Sequence, residues 1–361
     1  MATDLENFER AQAVIRGFRF GIEIETVGAS RYHSARSYRE AVADAIASEL
    51  GASRTYAGGF YQRERVLLTP TPTPDRFVHW DVMTDGSISS HIHGEVVSPI
   101  LTFDDIGKLQ AVVRAIRRAG ARVNRSCGIH VHVGVDGAFR TPAAIARLAR
   151  FVYSQEELIL AATSPNHYRY QGSHGCPINR VPSDFIARLP KKVRSWRTLA
   201  IAWYGSNDLF VRTNDECSPG SNDREHYHHT RYRGLNLHAV WNKGTVEFRY
   251  FDATLHAGKI RAYLMLCLAL CARAVVARSA VARKRPFILH TAAYGWRAVM
   301  IKLFLRGDDH KTVRRHLLAP IKAYGFSSSS ARTGIKRGGV TLDRFFDAEA
   351  ASHTWAPHHG S

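Results

Sequence analysis

Gly128-Ile129-His130-Val131-His132 is the stretch on which the fold reading turns, because its apolar and imidazole side chains alternate with the period of a β-strand. Ile129, Val131, Val133 and Val135 take one face, and His130 and His132 share the other. Two further stretches repeat the pattern. In Gly21-Ile22-Glu23-Ile24-Glu25 the alternation of Phe18, Phe20, Ile22 and Ile24 leaves Glu23 and Glu25 together on the opposite side. In Thr245-Val246-Glu247-Phe248-Arg249, Val246, Phe248 and Tyr250 stand against Thr245, Glu247 and Arg249. Carboxylates, imidazoles and a guanidinium on one surface of a sheet are costly unless something pairs with them. A metal ion together with a phosphate is the partner that this set of groups calls for.

The order of elements places these strands in an α+β chain. The spacing of Tyr38, Val42, Ile46 and Leu50 predicts a helix over residues 36–50. The TPTPTP run at 69–74 reads as an extended strut before a strand at VHWDV, and Gly94-Glu95-Val96-Val97-Ser98-Pro99 is a short strand ended by proline. FDDIGKLQAVVRAIRRAG predicts a helix with acids at its start, Arg117 and Arg118 at its end and Gly120 as its stop; Thr141-Pro142 opens another that runs to about Ala161. Residues 162–235 are irregular and polar and read as binding loops, with one short helix around Trp196–Trp203. A strand at 245–251, a helix over 257–278 and two amphipathic helices flanking Gly307 follow. The pattern predicts a mainly antiparallel sheet with helices on one face. The expected organisation is one domain over residues 1–325, with terminal helices at 285–325, and a basic flexible loop and tail over 326–361.

Composition narrows the class. With 361 residues and 45% hydrophobic content the chain can bury a sizeable core. Its longest apolar run, residues 262–277, is short for a bilayer and contains Arg273, so it predicts a buried helix and no membrane association. The N-terminus carries acids and lacks the apolar segment of a secretory signal. Five cysteines without a C-x-x-C pair read as reduced thiols in a cytoplasmic protein. Fifty Lys and Arg against 31 Asp and Glu give a net charge of +19, which favours an anionic partner without naming it.

Each motif taken singly has a plain structural reading. Glu23-x-Glu25 can be a pair of solvated acids, His130-x-His132 a pair of hydrogen-bonded histidines, and Glu247-x-Arg249 a salt bridge. Together they suit a hard cation such as Mg²⁺ or Mn²⁺ bridging carboxylates to phosphate. Asp85, in the Asp85-Gly86-Ser87 turn, and His132 are candidates for a general base, and Asp85 is equally a turn former. Cys127 lies near His130, but the strand sets the two on different faces. Cys176 and Cys217 with His226, His228 and His229 match no standard zinc spacing.

The ordered motifs FGIEIE, DGSIS followed by GEVVSP, CGIHVHV, and RYRGLNLHAVWNKGTVEFRYFDATL resemble the amidoligase family of ATP-dependent carboxylate-amine ligases, within the glutamine synthetase and glutamate-cysteine ligase superfamily. The match extends from about Phe18 to Ala277. It implies a glutamine-synthetase-like catalytic sheet binding ATP and divalent metal, with a carboxylate donor and an amine acceptor, small molecule or peptide, joined through an acyl phosphate. Position by position it implies metal binding by Glu23, Glu25, Glu95, Glu247 and His130, phosphate or acyl contact by His130 and Arg249, and substrate or nucleotide contacts by Arg231, Tyr232 and Asn236. Three other readings remain open on the residues: a zinc-dependent hydrolase using the His-x-His strand, a non-catalytic nucleotide- or nucleic-acid-binding module, and a guanidino-kinase-like phosphotransferase.

Overall fold

The computed structural model describes residues 4–59, 62–67, 78–164, 178–222 and 227–326. In chain order the elements are α1 (Asp4–Gly17), β1 (Phe20–Gly28), α2 (Ala35–Leu50), β2 (Ser53–Gly58), β3 (Arg63–Leu67), β4 (His79–Met83), β5 (His93–Val97), α3 (Ile106–Arg118), β6 (Ala121–Arg122), β7 (Gly128–Gly134), α4 (Pro142–Thr163), α5 (Ser183–Arg188), α6 (Trp196–Tyr204), α7 (Leu209–Thr213), β8 (Leu235–Asn236), α8 (His238–Lys243), β9 (Thr245–Asp252), α9 (Ala257–Val276), α10 (Leu289–Lys302) and α11 (Lys311–Phe326). The strands form one sheet in the order β2-β3-β4-β5-β1-β7-β9-β8, with β6 pairing the end of β1. Every ladder is antiparallel.

One face of this sheet is the core. Ile22 and Ile24 of β1, Val82 and Val96 of the neighbouring strands, Ile129 and Val131 of β7, and Val246 and Phe248 of β9 are all buried in a single apolar cluster. Helix α2 covers the β3–β5 side through Tyr38, Val42 and Ile46, while α4 and α9 cover β9 and β7. Its N-terminus is capped by Ser34, whose hydroxyl accepts from the Ser37 N–H, and it ends on Gly51 in the left-handed conformation. Thr141 caps α4 in the same way, through Ala144. The apolar run 262–277 lies in α9, which is buried nearly all round and packs against α1, α3, α4 and α11. No helix among the described residues is long and apolar enough to cross a membrane.

The α+β class, the mainly antiparallel sheet and the helix-covered face agree with the sequence reading. The segment 162–235 holds more structure than expected: α5 and α7 flank the anticipated α6, and a 3₁₀ turn spans His229–Arg231. These helices have only five or six residues and few buried positions, too few to leave a periodic signal. Helix α1 and the β2–β3 hairpin were also without a sequence signal. Only Ala11 and Ile15 of α1 are buried, and β2 is an exposed edge with no alternation. The proline strut at 69–74, Cys176, His226 and the basic segment beyond Phe326 lie outside the described residues.

Candidate active site

The opposite face of the sheet carries the polar groups, and strand register assembles them. Residues directly opposite in neighbouring strands project from the same face, so the pairings Glu25↔Glu95, Glu23↔His130, His132↔Glu247 and Glu247↔Asn236 bring β5, β1, β7, β9 and β8 together there. Between β7 and β9 the pairing steps from Ile129↔Phe251 to Val131↔Phe248. Two residues of β9, Arg249 and Tyr250, therefore face the single residue His130, a bulge that aims Arg249 at the histidine. Arg249 Nη1 lies 3.4 Å from His130 Nδ1 and donates to Glu247 Oε1 at 2.6 Å.

The contacts form one connected network. His130 Nδ1 stands 3.1 Å from Glu23 Oε2, and its Nε2 stands 3.6 Å from Glu25 Oε1. His132 Nδ1 is held 3.0 Å from the Thr245 hydroxyl, which turns Nε2 toward Glu23 Oε1 at 3.2 Å. The Gly128 N–H donates to Glu25 Oε2 at 2.5 Å. Asp85 forms the expected turn, its Oδ1 accepting from the Ser87 N–H at 2.7 Å, and its carboxyl also lies in a group with Glu25 and Glu95. Asn236 is buried behind Glu247, donating to its Oε2 at 2.6 Å, and so orients the acid without lining the cleft. Arg231 does line it, stacked 5.0 Å from the Tyr227 ring. The cleft has a volume of about 710 Å³ and takes in Glu23, Asp85, Glu95, His130, His132, Lys243 and Arg249.

Lys243 is a cleft residue that the sequence reading passed over. It ends α8, Gly244 closes that helix in the left-handed conformation, and Lys243 Nζ reaches Glu23 Oε1 at 3.3 Å. The signal was present as Asn242-Lys243-Gly244 just before a strand, a helix stop with a cation in its last turn. Gly234 has a packing reason: a Cβ there would lie 2.0 Å from the Tyr250 ring, so only glycine lets β8 approach β9. Of the histidines of the polar segment, His228 is engaged elsewhere. His228 bonds Thr230 and stacks on His238. The Cys127 thiol donates to Asn124 Oδ1 at 3.3 Å, away from the cleft.

Electrostatics divide the acids into two kinds. Burial would raise the Glu23 carboxyl, but Lys243, His132 and His130 outweigh it and hold it well below the ordinary carboxylate range. Glu247, more deeply buried and raised by that burial, is pulled down by Arg249 and the two histidines, and Arg249 is raised in turn by Glu247 against its own burial. Burial and the neighbouring Arg249 lower His130, against the opposing pull of Glu23, Glu25 and Glu247. Glu95 goes the other way. Burial raises it, and Glu23, Asp85 and Glu25 raise it further.

This imbalance is a test of whether the residues fit a metal. Of Glu23, Glu25, Asp85, Glu95 and Glu247, only Glu23 and Glu247 pair with a lysine or arginine among the described residues, Lys243 and Arg249, while Arg19, Arg63, Arg140 and Arg231 also line the cleft. Three overlapping groups, Glu23–Glu95–His130, Glu23–His132–Glu247 and Glu25–Asp85–Glu95, each bring their ligand atoms within 4.8 Å of one another. An oxygen-rich donor set with excess negative charge suits Mg²⁺ or Mn²⁺. The two imidazoles enter different groups, so no group offers the two or three histidines typical of hydrolytic zinc.

Comparison with known proteins gives two findings. The family model described as "Putative amidoligase enzyme" matches residues 16–271. Among solved structures, the chain is similar to a bifunctional glutathione synthetase from Pasteurella multocida, with 10% identity and a TM-score of 0.37. That likeness covers 90% of this chain and 49% of the other, so this chain spans about half the length of the synthetase. No protein with a curated description matches.

Proposed function

This chain belongs to the amidoligase family, and from that premise we propose that it is an ATP-dependent carbon–nitrogen ligase joining a carboxylate donor to an amine through an acyl phosphate. The observation that carries the reading is the trio of overlapping carboxylate groups at a cleft that also holds a buried guanidinium and a lysine. A carboxylate is a poor electrophile. Transfer of the γ-phosphoryl group of ATP to one of its oxygens gives ADP and an acyl phosphate, the amine nitrogen attacks the acyl carbon, and inorganic phosphate leaves with that oxygen.

Divalent ions held by Glu23, Glu25, Glu95, Glu247 and His130 would supply charge neutralisation at the phosphates. The protein's own groups do the rest. Arg249, fixed by Glu247 on one side, presents its remaining N–H donors to phosphoryl or acyl oxygens. Lys243 places a second cation at the same end. His132 and Asp85 are the groups on hand to accept the proton released by the attacking amine. Asn236 holds Glu247 in place, and Arg231 with Tyr227 and Tyr232 offers a stacking surface for nucleotide or substrate.

We read residues 1–325 as one catalytic domain with 326–361 appended, and a cytoplasmic site of action. A zinc hydrolase is disfavoured by the parting of the two histidines, and a degenerate binding module by the completeness of the network. The net charge of +19 suits ATP and an acidic donor without requiring nucleic acid.

The test follows the oxygen. A mass-spectrometric search of cell extracts for products that depend on this protein, ATP and Mg²⁺ identifies the donor. Donor labelled with ¹⁸O in its carboxylate should then deliver label to inorganic phosphate only when ATP, metal and amine are all present. A hydrolase needs no ATP, and a kinase leaves a phosphorylated product without an amide. Label in AMP would keep the ligase class and refute the acyl phosphate.

A further inference from the structure

The bulge in β9 that aims Arg249 at His130 needs a lock, and the helix behind the sheet supplies one. A bulge sits wherever its neighbours hold it, and a shift of one residue would turn Arg249 from the cleft to the core. Tyr250, the second residue of the bulge, points into the apolar cluster and is 1% exposed. Its ring lies against Gly234, where any Cβ would overlap it. Its hydroxyl donates to Glu156 Oε1 of α4 at 2.7 Å.

Glu156 is a fully buried acid that the ligase chemistry does not use. Its Oε1 accepts a second bond, from the Val181 N–H at 2.9 Å. The segment before Val181 is itself tied to the cleft wall. The Asn179 N–H donates to the Tyr232 carbonyl at 2.8 Å, the Gly234 N–H to the Asn179 carbonyl at 2.8 Å, and the Arg249 N–H to the Gly234 carbonyl at 2.7 Å. One carboxyl oxygen therefore joins α4, the Tyr232–Gly234 wall and the bulge. Glu156 Oε2 has no hydrogen-bond partner among the described residues. Burial raises this carboxyl to about 7, against the lowering pull of the Val181 and Tyr250 bonds and of Lys284 and Arg180. The adjacent Glu157 is held by Arg180 through two bonds of 2.8 and 3.1 Å. A proton taken up by Glu156 goes to the unpartnered Oε2 and leaves Oε1 an acceptor in either state. What the position supplies is an acceptor at one point, not a charge.

Resting on the ligase reading for what Arg249 touches, we propose that Glu156 and Tyr250 are positioning residues: the hydrogen bond between them locks the β9 bulge and so aims the Arg249 guanidinium into the cleft.

The test uses the full chain with Tyr250→Phe, Glu156→Leu, the two combined, Glu156→Gln, and Leu148→Ala as a control that removes buried apolar volume elsewhere in α4. Two quantities are read: hydrogen–deuterium exchange of peptides covering residues 245–252, and affinity for a non-hydrolysable ATP analogue with Mg²⁺ by isothermal titration calorimetry. Loss of the locking bond should speed exchange and weaken analogue binding by about tenfold each in Tyr250→Phe and in Glu156→Leu. The combined variant should be little worse than either alone, because both act through one bond. Glu156→Gln keeps an acceptor at Oε1 and should match the unmodified chain in both readouts, and Leu148→Ala should lower Tm and move neither. Should Glu156→Leu not fold, Tyr250→Phe, which keeps the ring on Gly234, carries the test. Unchanged exchange in Tyr250→Phe, equal changes in Leu148→Ala, or a Glu156→Gln that behaves as Glu156→Leu overturns the lock. Faster exchange with unchanged analogue affinity overturns the aiming of Arg249. An unmodified chain that does not bind the analogue sinks the ligase reading, and exchange still decides the lock.

Discussion

Replacing Glu95 with glutamine should make the metal-free protein more stable. Ligand oxygens of Glu25, Asp85 and Glu95 lie within 4.8 Å of one another. At that separation two unit charges repel by roughly 3.5 kcal/mol at an effective dielectric of about 20. Proton uptake by the raised Glu95 carboxyl and solvent at the half-buried Asp85 relieve part of this, so we expect Glu95→Gln to recover about 2 kcal/mol at slightly alkaline pH. Unfolding entropy of about 2.1 cal/mol/K per residue over roughly 300 ordered residues converts this to a rise in Tm of about 3 °C. The pH dependence has a definite sign. A carboxyl raised in the folded state imposes no penalty below its ordinary value of 4.5, a growing one as pH climbs toward the folded value, and the full one above it. The advantage of the variant should therefore shrink as pH falls toward 5. Millimolar Mg²⁺ should raise the Tm of the unmodified chain and raise that of Glu95→Gln much less, by linkage. Scanning fluorimetry in chelator and in Mg²⁺ reads both effects. A metal-free Glu95→Gln no more stable than the unmodified chain, with equal Mg²⁺ responses in the two, would refute the reasoning.

Three further outcomes follow from the same geometry. Glu23→Gln and Glu247→Gln should each weaken Mn²⁺ binding measured by electron paramagnetic resonance while the chain stays folded, since the amide keeps the shape and removes the charge; unchanged Mn²⁺ affinity in both would remove them from the metal site. Asn236→Ala takes away the 2.6 Å bond that orients Glu247 and should cost roughly 10- to 100-fold in Mn²⁺ affinity, and an unaltered titration would reduce Asn236 to packing. Arg249→Met strands the buried Glu247 and should lose about 3–5 kcal/mol in urea unfolding, whereas Arg249→Lys should fold and still fail in ATP-dependent turnover because a point charge cannot replace the fork.

What the sequence disclosed, and what it withheld, follows from how each side chain gets its place. Glu23, Glu25, His130, His132 and Glu247 were legible as same-face groups because their strands bury the alternate residues, and alternation is a local property of the chain. Their grouping was not legible. Glu25 meets Glu95 across a ladder joining residues 70 positions apart, and His132 meets Glu247 across one joining residues 115 apart. His132 and Asp85 read as bases for that reason, although each also stands in a group fit to hold a metal. Asn236 sat in a recognisable motif, but only the β8–β9 register turns it toward Glu247 and away from the cleft. Asp81 sat in the legible VHWDV strand, but its pairing with Arg65 comes from the β3–β4 register.

The same burial that stabilises the sheet also fixes its chemistry. Sliding β1 by one residue against β5 and β7 would carry Glu23 and Glu25 into the apolar cluster beneath Tyr38 and Val42, and turn Ile22 and Ile24 into the cleft. That exchange buries two carboxylates and exposes two isoleucines, each of which is worth about 1.5–3 kcal/mol when buried. The core therefore excludes the slipped register by many times RT, and the polar face is held to its arrangement by residues that never touch it. A site built this way can carry repelling acids such as Glu25, Asp85 and Glu95 because the strands that present them are locked from behind by α2, α4 and α9. The repulsion then remains available to be relieved by a cation, and it is the opposite face of the sheet that keeps it from being relieved by rearrangement.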